Sequence, residues 1–194
     1  MGLALGGLPR VAGAEAFLSR KEALALAFPQ ASVREHSVLL NDAQADAVRL
    51  RTGQPLESRL VTLYTGFRDG AVTGFAFIDL HTVRTRPEAL MVVLSPDGHV
   101  HALHLLAFYE PPEYRPMDRW LVQFDGLAES PSLRIGGRIH GIAGATLSSR
   151  AVTGSVRRSL ALYDLLVAPG QKPAPAPLQN VAASPAGAAT AGGQ

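Results

Sequence analysis

A glycine-rich loop that passes directly into a helical pattern contains the residues best suited to chemistry. Residues 141–145 are all Gly or Ala except Ile142, so a ligand can approach the backbone there closely. Thr146 follows the loop, and from residue 147 to 167 apolar residues recur at spacings of three or four, which is typical of an amphipathic helix. At a helix start, backbone N–H groups lack intrahelical partners and the dipole is positive. The pattern therefore predicts a site for an anion such as a phosphate at Thr146.

The first helical turn adds hydroxyl groups and charge to this position. Ser148 and Ser149 supply hydroxyls and Arg150 supplies a positive charge. An ordinary helix start with Thr146 as the capping residue would also explain a Gly-Ala-Thr sequence. Four small residues exceed what a cap needs, and Ser and Thr are not strong helix formers. Both features favour ligand binding.

The segment Gly144–Ser149, with the sequence GATLSS, resembles the flavinylation motif of the FMN-binding domain family. That family includes the FMN-carrying subunits of the Rnf complex and of the sodium-pumping NADH:quinone reductase. The likeness extends upstream through His104–Gly126, where Glu110 begins a turn similar to the family's Glu-Thr-Pro turn and residues 124–126 are similar to its Phe-x-Gly segment. It covers roughly residues 60 to 165.

The resemblance implies that FMN is attached to Thr146 through a phosphoester formed by a flavin transferase. It places Gly144, Ala145, Leu147, Ser148 and Ser149 around the attachment point. It also implies a redox carrier rather than a self-contained enzyme, which relays electrons between donor and acceptor proteins, such as membrane redox subunits. Such a domain is periplasmic or exported and docks on a membrane complex.

Other residues are candidates for the flavin ring and phosphate. The resemblance places Glu110 near the flavin, although a solvated loop carboxylate is an equal alternative. Tyr109 and Trp120, like Phe108, could line an apolar slot for the ring or belong to the core. His140 could contact the phosphate or the acceptor hydroxyl, or could simply face water.

Two positions depart from the family motif and keep other functions open. The family has an acidic residue six positions before the threonine and a hydroxyl residue three before it, whereas this chain has His140 and Ala143. One alternative is therefore a module that binds FMN or another phosphate-bearing ligand reversibly. Another is an assembly protein that kept the fold without the cofactor. The chain also contains no run of about 18 apolar residues, unlike the membrane-anchored subunits of the family.

Composition limits the remaining function classes. The 194 residues carry a net charge of +2 without a dense basic run, so nucleic acid binding is not indicated. The absence of cysteine excludes disulfides and thiolate-bound iron–sulfur clusters. Metal binding by His99, His101 and His104 needs a bulge, because on a regular strand His104 points to the opposite face from the other two. No catalytic residue or metal site is predicted.

The chain divides into three segments. Residues 1–16 read as an export signal or a flexible N-terminus, and residues 169–194 as a disordered tail rich in Ala, Pro and Gly. Residues 17–168 form the predicted FMN-binding domain.

Within this domain, a Ser-x-x-Glu box at Ser19 starts one helix and Asn41 another. Asp-Gly pairs at residues 69–70 and 97–98 predict two hairpins. The predicted fold is α+β, an antiparallel sheet of at least two hairpins packed with helices, with a long C-terminal helix after the Gly-Ala-Thr loop.

Overall fold

The fold is α+β, as the sequence predicts, in a computed structural model that describes residues 15–168. The strands are β1 Glu15–Ala16, β2 Ser32–Leu39, β3 Leu60–Arg68, β4 Ala71–Thr82, β5 Pro87–Leu94 and β6 Val100–Phe108. The helices are α1 Arg20–Ala27, α2 Asp42–Thr52, α3 Asp118–Leu121 and α4 Thr146–Leu166, with 3-10 turns at Pro112–Tyr114 and Val122–Phe124. The predicted tail and most of the predicted leader lie outside the described residues; residues 15 and 16 of the leader form β1.

All six strands form one antiparallel sheet in the order β1-β6-β5-β4-β3-β2. The two predicted hairpins are confirmed as β3–β4 and β5–β6. Asp69 and Gly70 connect the first hairpin with φ of 51° and 81°. Two successive positive φ values suit the right-handed twist of the paired strands, which is why Asp-Gly is favoured there.

The helix starts that the sequence predicts are also confirmed. Ser19 accepts a hydrogen bond from the N–H of Glu22, whose carboxylate accepts one from the N–H of Ser19 at 2.8 Å. Asn41 and Gln44 form the same reciprocal box at the start of α2. Each box satisfies backbone donors that the helix itself leaves free.

The sheet has a core on each face. On one face α4 buries Val152, Val156 and Leu160, each at most 1% exposed, against strands β4 and β5. Burial of such a side chain stabilises the fold by roughly 1.5–3 kcal/mol. On the other face α1 covers a smaller cluster that includes Phe28 and Met91. The long helix α4 is therefore held on the sheet by the larger of the two cores.

Helix α2 packs beside α4. Arg157 of α4 donates hydrogen bonds to the carbonyl oxygens of Thr52 at 2.8 Å and Arg51 at 2.6 Å. These are carbonyls of the last turn of α2, which lack intrahelical partners, so a cation is favourable there. No helix in residues 15–168 has the length and apolar character needed to cross a bilayer.

Candidate functional site

The Gly-Ala-Thr segment forms the junction between the loop and α4. Gly144 has a φ of +79°, a left-handed conformation that other residues rarely adopt, and a Cβ placed there would meet no atom within 4 Å. Ala145 is the N-cap residue and provides no side-chain hydrogen bond to the helix. Glycine at position 144 is thus required by the turn of the backbone, which delivers Thr146 as the first helical residue.

Thr146 is exposed at this helix start. The first intrahelical hydrogen bond beyond it joins the N–H of Ser149 to the carbonyl of Ala145 at 3.0 Å. The N–H groups of residues 146–148 precede that bond, and the positive end of the helix dipole lies at the same place. The prediction that Thr146 lies at or beside the N-cap is confirmed. Backbone donors at a helix start are of the kind that favour an anion.

The two serines of the motif have different surroundings. Ser149 is completely buried, and its hydroxyl accepts a hydrogen bond from the N–H of Ile142 at 2.9 Å and donates one to the carbonyl of Ala145 at 3.0 Å. It closes the glycine-rich loop onto the helix. Ser148 is 1% exposed and lines the cavity beside Thr146. Only Ser148 of the pair is therefore placed to contact a ligand.

A cavity of about 260 Å³ opens beside the start of α4. Six of the predicted site residues line it: Gly144, Ala145, Thr146, Leu147, Ser148 and Glu110. Sequence reasoning missed the other three lining residues, which are Val83, Arg84 and Tyr114. Val83 and Arg84 belong to the segment that connects β4 to β5, and only the folded sheet brings that segment to the Gly-Ala-Thr loop.

Glu110 is buried, so the alternative of a solvated loop carboxylate is wrong. Its Oε1 atom accepts hydrogen bonds from the backbone N–H groups of Arg84, Thr85 and Arg86 at 3.1, 2.8 and 3.0 Å. Burial alone raises the pKa of the Glu110 carboxyl, but these donors and the charge of Arg84 outweigh burial and hold the pKa below its usual range. Glu110 thus fixes the loop that presents Arg84 to the cavity.

Tyr109, Trp120 and His140 do not line this cavity. Trp120 packs edge-on against Phe124 with ring centroids 5.4 Å apart, and its Nε1 donates to the carbonyl oxygen of His140 at 2.7 Å. The backbone N–H of His140 donates to Oε1 of Gln123 at 2.8 Å, while its side chain is exposed. The backbone of His140 therefore anchors the glycine-rich loop to the segment around α3. Tyr109 is half-buried.

The three histidines near β6 are not gathered around one point. The β5–β6 pairing shifts at His101, so a bulge of the kind that a shared site would need is present. His99 nevertheless lies beside Asp97, with Nδ1 and Oδ2 3.0 Å apart. His101 and His104 line a cavity that is separate from the one beside Thr146 and that Phe17 and Arg115 also line. Within the part of the chain that the structure describes, no group of three or more His, Asp or Glu could hold a metal ion.

Comparison with known proteins adds no family assignment, because no family model matches the chain and no curated protein is significantly similar to it. The fold and the cavity beside Thr146 are therefore the basis for a functional proposal.

Proposed function

We propose that this protein carries FMN on Thr146 and acts as an electron-transfer flavoprotein. The observation that carries the proposal is the placement of Thr146. It is exposed at the first residue of a 21-residue helix, and the cavity beside it is lined by the Gly-Ala-Thr loop and by Glu110. These are the two segments on which the resemblance to the FMN-binding domain family rests.

The residues around Thr146 suit the phosphate of FMN. Three N–H groups of the first helical turn and the helix dipole favour an anion. Arg84 adds a positive charge to the cavity wall, and the buried carboxylate of Glu110 holds the backbone of its loop. The negative charge of Glu110 is partly compensated by three N–H donors of that loop. It therefore repels the phosphate less than a free carboxylate would.

Attachment is a phosphoryl transfer to the Thr146 hydroxyl. The bond between Oγ and phosphorus forms, the pyrophosphate bond of a flavin dinucleotide donor breaks, and a nucleoside monophosphate leaves with the hydroxyl proton. A separate flavin transferase catalyses this step, so the protein itself needs only an accessible hydroxyl and a loop that the transferase can enter. Thr146 is exposed and Ala143 and Gly144 carry no bulky side chain, which meets both needs.

Once attached, FMN supplies the redox chemistry, and the protein supplies binding, orientation and electrostatics. The electron donor and acceptor are other proteins, in keeping with a cofactor site that opens at the surface. An exported or periplasmic position, on a membrane complex, follows from the same family resemblance.

Coexpression with a flavin transferase tests attachment. We expect a yellow protein whose mass exceeds that of the polypeptide by FMN less one water, and a Thr146→Ala variant with no added mass. The matched control is Thr153→Ala, because Thr153 is a threonine of the same helix whose side chain is buried away from the cavity. Its hydroxyl donates to the carbonyl of Ser149 at 2.7 Å. An unmodified wild-type protein in the presence of active transferase would overturn covalent attachment.

Reversible binding of FMN is the second candidate. The exposed side chain of His140 and the methyl group of Ala143 occupy positions where the family has an acid and a hydroxyl, which favours a slower or absent transfer reaction. Denaturation followed by filtration separates the two cases, because colour in the filtrate means that no covalent bond holds the flavin.

A further inference from the structure

A second groove adjoins the cavity beside Thr146. It encloses about 260 Å³, and its wall includes Val83 and Leu147, which also line the first cavity. The two spaces therefore meet at the first turn of α4. Arg150, four residues after Thr146, also lines the second groove. Residues at this spacing lie on the same side of a helix, so a ligand held at Thr146 extends naturally along α4 toward Arg150.

The wall of this groove carries positive charge. His81, Arg150 and Arg158 line it, together with the carboxylate of Glu57. Arg150 and Glu57 are exposed at the rim, whereas His81 is 6% and Arg158 5% exposed. The rim charges offset each other, so the charges nearest the groove floor are those of the buried side chains His81 and Arg158.

Two carboxylates form ion pairs with these buried cations. Asp79 receives Arg158, with Nη2 2.5 Å from Oδ2, and lies 2.9 Å from Nδ1 of His81. Glu88, which is completely buried, lies 3.5 Å from Nε2 of His81, and its carboxylate oxygens have no hydrogen-bond partner among the described residues. Neither Asp79 nor Glu88 lines the groove. The two cations thus line the groove, whereas their counter-charges do not.

The ionisation of His81 follows from these neighbours. Burial alone lowers the pKa of His81, but the carboxylates of Asp79 and Glu88, 2.9 and 3.5 Å from its ring nitrogens, outweigh burial and raise it to about 9. The groups that face His81 are Asp79 on β4, Glu88 on β5 and Arg158 on α4, with Arg150 and Glu57 at the rim. With all of the buried groups ionised, the two carboxylates balance His81 and Arg158, so a charged imidazolium is tolerated in the interior.

We infer that the second groove receives the electron-rich pyrimidine side of the flavin ring, and that His81, backed by Asp79 and Glu88, stabilises the reduced form there. This inference rests on the proposed function of the neighbouring cavity. A cation fixed at the ring edge interacts more favourably with the additional negative charge of the reduced ring than with the oxidised ring. The five-carbon ribityl chain links a phosphate at Thr146 to a ring beside Arg150.

The test uses the full chain and free FMN, so that it does not depend on attachment. In a Thr146→Ala background, FMN binding and the midpoint potential of the bound flavin are measured with and without His81→Gln. We expect His81→Gln to weaken the preference for the reduced form about tenfold, which lowers the potential of a two-electron couple by about 30 mV. The difference should shrink above pH 9, where wild-type His81 loses its proton.

Two further variants keep the result interpretable. His99→Gln removes an exposed histidine from the β5–β6 turn and should leave the potential unchanged. Arg150→Gln changes an exposed residue of the groove rim and should lower the potential even if His81→Gln fails to fold. Potentials equal to wild type in the His81 and Arg150 variants would overturn the groove assignment while leaving the carrier function intact. Failure of the Thr146→Ala protein to bind free FMN would also overturn the groove assignment, whereas the mass of the transferase-treated wild type decides the carrier function separately.

Discussion

The buried carboxylate of Glu110 accepts a hydrogen bond from the backbone N–H of Thr85 at 2.8 Å, across 25 residues of sequence. Arg84 and Arg86 donate to the same oxygen. One side chain two residues beyond β6 therefore determines the shape of the segment between β4 and β5. Because Arg84 lines the cavity beside Thr146, the conformation of that segment also determines part of the proposed phosphate site.

Glu110→Gln should lower both stability and FMN affinity. Glutamine keeps an acceptor oxygen but removes the charge that strengthens three hydrogen bonds, so we expect a loss of about 1–2 kcal/mol in the free energy of unfolding. The pKa of Glu110 is depressed in the folded state, so its contribution is present above the unfolded pKa, roughly 4.3, and is lost as pH falls through the lower folded pKa. Urea titrations from pH 3 to 7 measure this difference.

Glu113→Gln is the matched control, because Glu113 lies three residues further on in an exposed 3-10 turn. Its free energy of unfolding should stay within about 0.5 kcal/mol of wild type. Equal stability of the Glu110 and Glu113 variants at pH 7 would contradict the role assigned to Glu110.

Gly144→Ala should impair attachment more than it impairs folding. A Cβ at this position meets no neighbouring atom, so the cost comes only from the left-handed backbone, roughly 1–2 kcal/mol. Relief of that strain rotates the loop and moves Thr146 away from its position. Thermal melts and the fraction of protein carrying FMN mass after coexpression check the two effects separately. Gly126→Ala, also at positive φ with open space around it, should cost similar stability and leave attachment intact.

Local signals explain which parts of the fold could be predicted from the sequence. The Asp69-Gly70 turn and the boxes at Ser19 and Asn41 each depend on residues no more than three apart, so the pattern that predicts them also stabilises them. The start of α4 belongs to the same class, since Gly144 and the periodic apolar face mark it within a few positions.

The rest of the site depends on contacts between distant residues. Nothing near Glu110 in the sequence indicates that its partners are residues 84–86, because their approach requires the register of three strands. The same holds for His81 and Arg158, which Asp79 joins only after α4 has packed on the sheet. A histidine two positions after an aspartate on a strand is a weak signal that the two share a face. This signal does not indicate a second carboxylate beside His81, because Glu88 reaches His81 only through the pairing of β4 with β5.

Trp120→Phe should weaken the anchor of the glycine-rich loop. Phenylalanine keeps the edge contact with Phe124 but cannot donate to the carbonyl of His140, so we expect a loss of about 1 kcal/mol. Chemical unfolding is best followed by circular dichroism, because the variant replaces the single tryptophan of the chain and so removes its fluorescence. His140→Gln is the control: only backbone atoms of His140 make these hydrogen bonds, so its stability should match wild type. A larger loss in the control would contradict this account.

His81→Gln should remove a pH-dependent part of the stability. The pKa of His81 is about 9 in the folded protein, whereas an unfolded histidine titrates near 6.5. A raised folded pKa means that the stabilisation is complete below pH 6.5 and is lost as pH rises toward 9, with a total of roughly 3 kcal/mol. Wild type should therefore lose stability between pH 6.5 and 9, and the variant should show a flatter profile over the same range.

His99→Gln should retain the wild-type slope, because the side chain of His99 is 46% exposed. Parallel slopes in wild type and His81→Gln would mean that His81 is not held as an imidazolium between Asp79 and Glu88, and the role proposed for His81 in the second groove would lose its basis.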